Sequence, residues 1–249
     1  MKYQISGIIF PVFILFILIT AFISCQSTKT KKLNIYIVTG GHDFERQPFF
    51  SIFDSFQNIN YTEIQHPDAN NYYVHDKAKD VDVFVFYDMV QEISGPQKAA
   101  FLDMLEKGKG MVFLHHAFIS YQDWPEFEQV TGGKYYLQAT EKDGQEIPAS
   151  TYKHDVDFDI TIADTEHPVT KGLQDFTIHD EVYGGYTVLP DGHTLLTTNH
   201  PESSEILAWT RTYGNSKIVV IQPGHDNHGY SNPNYQRLVK QAVEWAAGE

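Results

Sequence analysis

The chain has almost no cysteine. Of its 249 residues only Cys25 is one, and it lies ahead of everything that reads as a folded domain. That absence excludes a disulfide, a cysteine-based zinc site and a cysteine nucleophile from the domain. Positive charge is scarce too. With 18 Lys and Arg against 32 Asp and Glu, the formal net charge is -14, which phosphate backbones repel, so nucleic acid is not an expected partner. No long acidic block occurs, and the acidity reads as a diffuse, solvated surface. HExxH, internal repeats and low-complexity segments are all missing.

What is present suits one compact α/β domain. Hydrophobic residues make up 42% and aromatics 14%, enough to pack a core, and the length is thin for two domains. Residues 1–24 are a separate object: Lys2, then the uncharged apolar run Gly7 to Ile23, then Ser24 before Cys25. A charged start, an apolar core and a small residue before the cut describe a secretory signal. The Cys resembles that of a bacterial lipobox, although Phe22 and Ile23 depart from its usual residues. An uncleaved anchor is the rival reading, since the run is nearly long enough to span a bilayer. Lys29, Lys31 and Lys32 follow the run, an asymmetry that would insert such an anchor the wrong way round. The expected organisation is a signal peptide at 1–24, a tether at 25–32 and a domain at 33–249. Acylation of Cys25 would anchor that domain by lipid in the bacterial cell envelope, facing the periplasm or the outside.

Leu33 to Val38, Val81 to Tyr87, Met111 to Leu114 and Lys217 to Gln222 are strong apolar runs that predict buried strands. Tyr61 to Ile64 is a weaker one, and Phe176 to Ile178, Leu195 to Thr198 and Ile206 to Thr210 are short ones. Helical spacing appears over Phe49 to Phe56 and after Ser94-Gly95-Pro96-Gln97, a capping box with proline in the first turn. Asn232 caps a closing helix with Pro233 at its first position. The β-α-β-α-β order predicts a mostly parallel sheet between helical layers. Residues 133 to 162, with their polar–apolar alternation, predict antiparallel hairpins laid over it.

Ligands of an open parallel sheet bind outside the carboxyl ends of its strands. Three strong strands end there in histidine: His42, the pair His115-His116, and His225. One such histidine is ordinary, whereas three converging on one edge are hard to ascribe to packing. Asp43 and Asp226 each follow a histidine directly, where a carboxylate either orients an imidazole or caps a turn. His179-Asp180-Glu181 is a further polar knot, with Glu181 a candidate acid/base before Tyr183. Trp124, Trp209, Tyr183 and Tyr230 are candidate walls of a sugar cleft, or else core aromatics. Trp245 reads as core; His66, His75, His193 and His200 read as solvated, and His228 as a loop residue.

The ordered set Gly40-Gly41-His42-Asp43, His115-His116, Asp123-Trp124-Pro125, Gly132-Gly133, His167 to Leu173, Asp180 to Tyr183, Ala208 to Arg211, Gly224-His225-Asp226 and Ala242 to Ala246 resembles the ThuA-like family. The resemblance runs over nearly all of residues 33 to 248. It implies a flavodoxin-like three-layer sandwich similar to class I glutamine amidotransferases, and a context of trehalose, disaccharide or keto-sugar utilisation. Amidotransferases carry a nucleophilic cysteine after the strand that here ends at His115-His116. Without one, glutaminase chemistry of that type is excluded. His225 stands where the amidotransferase triad has its histidine.

The resulting expectation is a hydrolase or lyase acting on a glycoside or oxidised sugar, with His42, His116, Glu181 and His225 catalytic. Asp43, His115, Trp124, Asp180, Tyr183 and Asp226 would bind substrate. His42, His116 and His225 would hold any divalent metal, zinc or manganese, with His116 preferred to His115 as the inward residue because it lies farther into the turn. The alternative is a non-catalytic sugar-binding lipoprotein module. A homo-oligomer is left open.

Overall fold

A computed structural model describes residues 1–4, 7, 32–74, 76–142 and 144–248. The folded unit is Lys31–Glu249. Cys25, the apolar leader and His75 lie outside the described residues. No helix among the described residues is long and apolar enough to cross a membrane.

The first half alternates strand and helix: β1 (Leu33–Gly40), α1 (Arg46–Asp54), β2 (Ile59–Gln65), α2 (Ala69–Val74), β3 (Val83–Asp88), α3 (Gly95–Glu106) and β4 (Gly110–Leu114), with α2 the one helix among these that the sequence pattern did not predict. A 3-10 turn, His115–Ile119, leads to α4 (Pro125–Thr131). Short strands follow, β5 (Gly133–Lys134), β6 (Thr140–Lys142) and β7 (Gln145–Ile147), then the long β8 (Thr151–Ile162) and β9 (Phe176–Gly184). The chain closes through β10 (Thr187–Val188), β11 (His193–Thr197), β12 (Ile206–Tyr213), β13 (Ser216–Ile221), α5 (Asn227–Ser231) and α6 (Pro233–Ala246).

Nine strands form one sheet in the order β2-β1-β3-β4-β13-β12-β11-β8-β9. The first five run parallel. The rest join antiparallel, which matches the tight Tyr213-Gly214-Asn215-Ser216 connection. The central strands are apolar throughout because both faces are covered. Along β3, Val83, Val85 and Tyr87 meet α1 and α6 through Phe49, Ile52, Leu238 and Val243. Phe84 and Phe86 point the other way, to Tyr73, Phe101, Leu105 and Phe127 of α2, α3 and α4. This is the three-layer sandwich.

Local signals set the helix starts. The Ser94 backbone N–H donates to Gln97 Oε1 at 2.9 Å, closing the predicted capping box, and Asn232 Oδ1 accepts from the Asn234 N–H at 2.9 Å. Two expectations need correction. The apolar triplet at 176–178 is only the start of β9, which continues through Glu181 to Gly184, so Glu181 sits inside a strand. The antiparallel part is also larger than an insertion over 133–162, because β8 is zipped to β9 and both extend the main sheet. The polar residues of β9 obscured its length, since Asp180 and Glu181 are buried at the site where a strand pattern would place apolar side chains.

Candidate functional site

Four segments meet at the carboxyl edge of the sheet. The turn after β1 carries His42, the turn after β4 carries His115 and His116, and the turn after β13 carries His225. From the antiparallel side, β9 brings Glu181 and Tyr183. Gly41 has a φ of +78°, and a Cβ there would lie 2.1 Å from the Met89 carbonyl oxygen, so only glycine lets the His42 turn pack so close. His115, one residue past β4, is also left-handed, with a φ of +50°. A non-glycine outlier of that kind is stored strain, and here it coincides with the most connected side chain of the site.

The His115 ring is fixed by its far nitrogen, which donates to the Gln222 carbonyl at 2.7 Å. Its Nε2 then faces three groups: Glu181 Oε2 at 2.9 Å, Tyr183 Oη at 2.8 Å and His225 Nδ1 at 3.1 Å. His225 Nδ1 lies 3.1 Å from the same carboxylate oxygen. One donor atom from each of His115, Glu181 and His225 lies within 4.8 Å of the others. With the hydrogen of His115 committed to a carbonyl, its Nε2 lone pair and the Glu181 carboxylate would repel at this distance. A proton or a cation between them is what makes the arrangement stable.

The electrostatics follow. Burial raises the Glu181 carboxyl, but its bonds to His115 and His225 outweigh that and hold it well below the usual carboxylate range. His225 is raised by its bond to Glu181, against the opposing effect of burial. His116 is fully enclosed; burial, then the neighbouring His115 and His42 rings, push it well below the usual imidazole range. Its Nδ1 meets the Asp88 carbonyl at 3.2 Å, while Nε2 has no hydrogen-bond partner among the described residues. His42 is lowered by partial burial. Its ring lies 4.6 Å from that of His116 and 6.2 Å from that of His225.

Asp180 is the site's fastener. It is fully buried, and burial raises its pKa. Its two oxygens accept from the Gly224 N–H at 2.6 Å and the His225 N–H at 2.8 Å, and one also takes the Glu181 N–H at 2.8 Å. From the other side, Tyr87 and Tyr230 hydroxyls donate to the His225 carbonyl at 3.0 and 2.8 Å. The loop that presents His225 is thus clamped at its donors and at its acceptors. Gly224 sits at a φ of +110° against the Tyr235 hydroxyl, where a Cβ would come within 2.0 Å.

The donor group therefore differs from the expected one. His115 and Glu181 join His225, whereas His42 and His116 form a second layer beside them; the left-handed turn sends His115 inward first. Trp124 packs on Phe101 and Phe127, and Trp209 is enclosed and donates to the Thr131 carbonyl at 2.8 Å, so neither walls this cavity. Tyr230 is core. Asp226 caps α5, accepting from the His228 N–H at 2.8 Å, and Asp43 is exposed, offering its backbone carbonyl to His42 Nδ1 at 2.7 Å. His66 is not solvated: it pairs with buried Asp88 at 3.0 Å.

His154 escaped the sequence reading. Its Nδ1 lies 3.3 Å from Glu181 Oε1 and its ring 4.7 Å from that of His225. A signal was there, since His154-Asp155 repeats the His-Asp pairs at 42–43, 179–180 and 225–226. A cavity of about 240 Å³ opens among His42, His116, Tyr152, His154, Glu181 and Tyr183. A larger hollow of about 890 Å³, past Gly41 and His66 toward Gln97 and Trp124, lacks that convergence of imidazole and carboxylate, so the smaller one is the candidate site.

The family model described as ThuA, trehalose utilisation, matches residues 34–246. Two solved structures described as ThuA-like proteins are similar. One, from Parabacteroides merdae, has a TM-score of 0.71 at 20% identity, covering 87% of this chain and 90% of that one. The other, from Bacteroides uniformis, has a TM-score of 0.66 at 18% identity, covering 90% and 94%. A cytoplasmic protein of Salmonella typhimurium shares the fold at a TM-score of 0.58 and 13% identity, over 86% of this chain and 99% of that one. No curated protein matches the chain.

Proposed function

The chain belongs to the ThuA, or trehalose utilisation, family, and from that premise we propose an enzyme acting on a glycoside or an oxidised sugar at the His115–Glu181–His225 cluster. The observation that carries this reading is the convergence of two imidazole nitrogens and one carboxylate oxygen on a single point beside a cavity.

The donor set fits a divalent cation, zinc or manganese. Two imidazoles and a carboxylate are a ligand set that catalytic zinc sites use, and the His115 bond to the Gln222 carbonyl is the outer-shell contact such ligands carry. When bound, such a cation polarises a substrate carbonyl or hydroxyl. The chain's own groups supply the rest. His42 and His116, lowered by burial, are free bases at neutral pH and suit the removal of a proton from carbon beside a sugar carbonyl. The Tyr183 hydroxyl, raised well above its ordinary range by burial and by Glu181, stays protonated and donates a hydrogen bond. His154, half exposed at the mouth, stands 3.3 Å from the Glu181 carboxylate.

The test is exchange and turnover of 3-keto-glucosides in deuterated water, followed by NMR. Wild-type protein should label or cleave the sugar, and His115→Ala should slow this by roughly 100-fold or more. Equal rates in the two proteins would overturn the reading. The leader pattern before Cys25 supports export with acylation at that thiol, which would tether the domain to the cell envelope. Cells fed a clickable palmitate analogue should label the wild-type chain and not Cys25→Ala; an unlabelled wild type would contradict it.

A further inference from the structure

Three large hydrophobic side chains stand exposed among the described residues of the folded unit: Val74, Leu137 and Tyr152, at 44%, 47% and 63%. Two of them, Leu137 and Tyr152, line the small cavity over Glu181. Exposed apolar side chains scattered singly need no explanation, but a pair on the lip of a polar cavity does.

The backbone supplies the second observation. In the β8–β9 ladder Tyr152 pairs with Tyr183, Lys153 with Val182, and Val156 with Asp180. His154 and Asp155 together therefore oppose the single residue Glu181, a β-bulge. Asp155 adopts a φ of +55° to make it. Downstream, Val156, Phe158, Ile160 and Ile162 face the core, so an unbroken strand would turn His154 and Tyr152 to that same face. The extra residue flips the phase. Tyr152 and His154 then stand together on the cavity side, their rings 5.3 Å apart and edge to face.

We propose that this bulge-built wall, Tyr152 beside His154 with Leu137 across the mouth, is the binding site for the second sugar ring of a glycoside whose first ring occupies the cavity. The inference rests on the sugar reading above and names the substrate class within it. The volume supports two rings in two places. About 240 Å³ falls below the roughly 300–1,000 Å³ of ordinary ligand sites, so it houses one ring and leaves the other at the lip. The apolar face of a pyranose stacks on an aromatic ring for the reasons aromatics bury well, and the exposed Tyr152 ring offers such a face.

The test is calorimetric titration of the full chain with trehalose and with methyl α-glucoside, in wild type, Tyr152→Ala, Asp155→Gly and an Asp155 deletion. Wild type should prefer trehalose, and Tyr152→Ala should weaken trehalose binding by roughly tenfold while leaving methyl α-glucoside unchanged. Asp155→Gly, whose backbone accepts a positive φ, should keep the preference, and the deletion should lose it. Because Tyr152 is largely exposed, its truncation leaves the core intact should the deletion fail to fold. Equal binding of the two sugars by wild type, an unchanged preference in Tyr152→Ala, or no binding of either sugar would overturn the proposal. Bound metal, measured in the same samples, separates the two ideas. A trehalose preference abolished by Tyr152→Ala in a protein that holds no metal keeps the wall and removes the cation; a metal-loaded protein indifferent to Tyr152 does the reverse.

Discussion

The two halves of the sheet contribute to the site in different ways. The parallel half, β2-β1-β3-β4-β13, delivers His42, His115, His116 and His225 from turns at strand ends, where its fold places ligands by rule. The antiparallel half delivers Glu181, Tyr183, Tyr152 and His154 from the interior of two strands, β8 and β9. The first half provides imidazole nitrogens on a doubly covered core. The second provides the carboxylate, the fastener Asp180 and the Tyr152 side of the lip. The comparison teaches that the site is a joint: neither half holds a complete donor set.

The largest disturbance of that joint should come from Asp180, the residue of the antiparallel half that grips the β13–α5 loop. Asp180→Ala leaves the buried N–H groups of Gly224, His225 and Glu181 without their acceptor, at a cost of about 3 kcal/mol or more. A thermal midpoint lowered by roughly 10 °C in calorimetry is the expected outcome. A midpoint within a degree or two of wild type would show the halves held by other means.

A smaller effect sharpens the parallel side alone. His116 is buried as the neutral ring, with a pKa well below its ordinary 6.5, so the unfolded chain takes up its proton first. Its contribution to stability is full above pH 6.5 and drains away as the pH falls. Denaturant midpoints recorded from pH 7.5 to about 5 should therefore fall more gently in His116→Gln than in wild type. Parallel slopes for the two proteins would contradict the buried neutral ring.

The same division explains what could be read from the sequence. The parallel half was legible because Leu33 to Val38, Val81 to Tyr87, Met111 to Leu114 and Lys217 to Gln222 are unbroken apolar runs closed by turn residues. Their terminal histidines could be placed on one edge without knowing any distance. Which imidazole points inward could not, because His115 and His116 differ only in a left-handed φ that no residue pattern announces. In the antiparallel half, β9 carries His179, Asp180 and Glu181 through its middle, and such a run of polar residues looks like a loop although Asp180 and Glu181 are buried at the site. The bulge at Asp155 was hidden for a related reason. It shifts the alternation by one residue, and the sequence shows only the alternation. Trp124, expected to bind substrate, misled in the opposite direction, since a buried aromatic and a stacking platform share a composition and differ only in exposure.

The proposal with the most at stake is that His115, Glu181 and His225 would hold a divalent cation. Elemental analysis of the purified full chain without a histidine tag tests it most directly, with His115→Ala, Glu181→Gln and His42→Ala alongside. The account predicts near-stoichiometric zinc or manganese in wild type and His42→Ala, and loss of it in His115→Ala and Glu181→Gln. No metal in wild type after incubation with divalent ions would contradict the account, as would metal kept by His115→Ala and lost from His42→Ala.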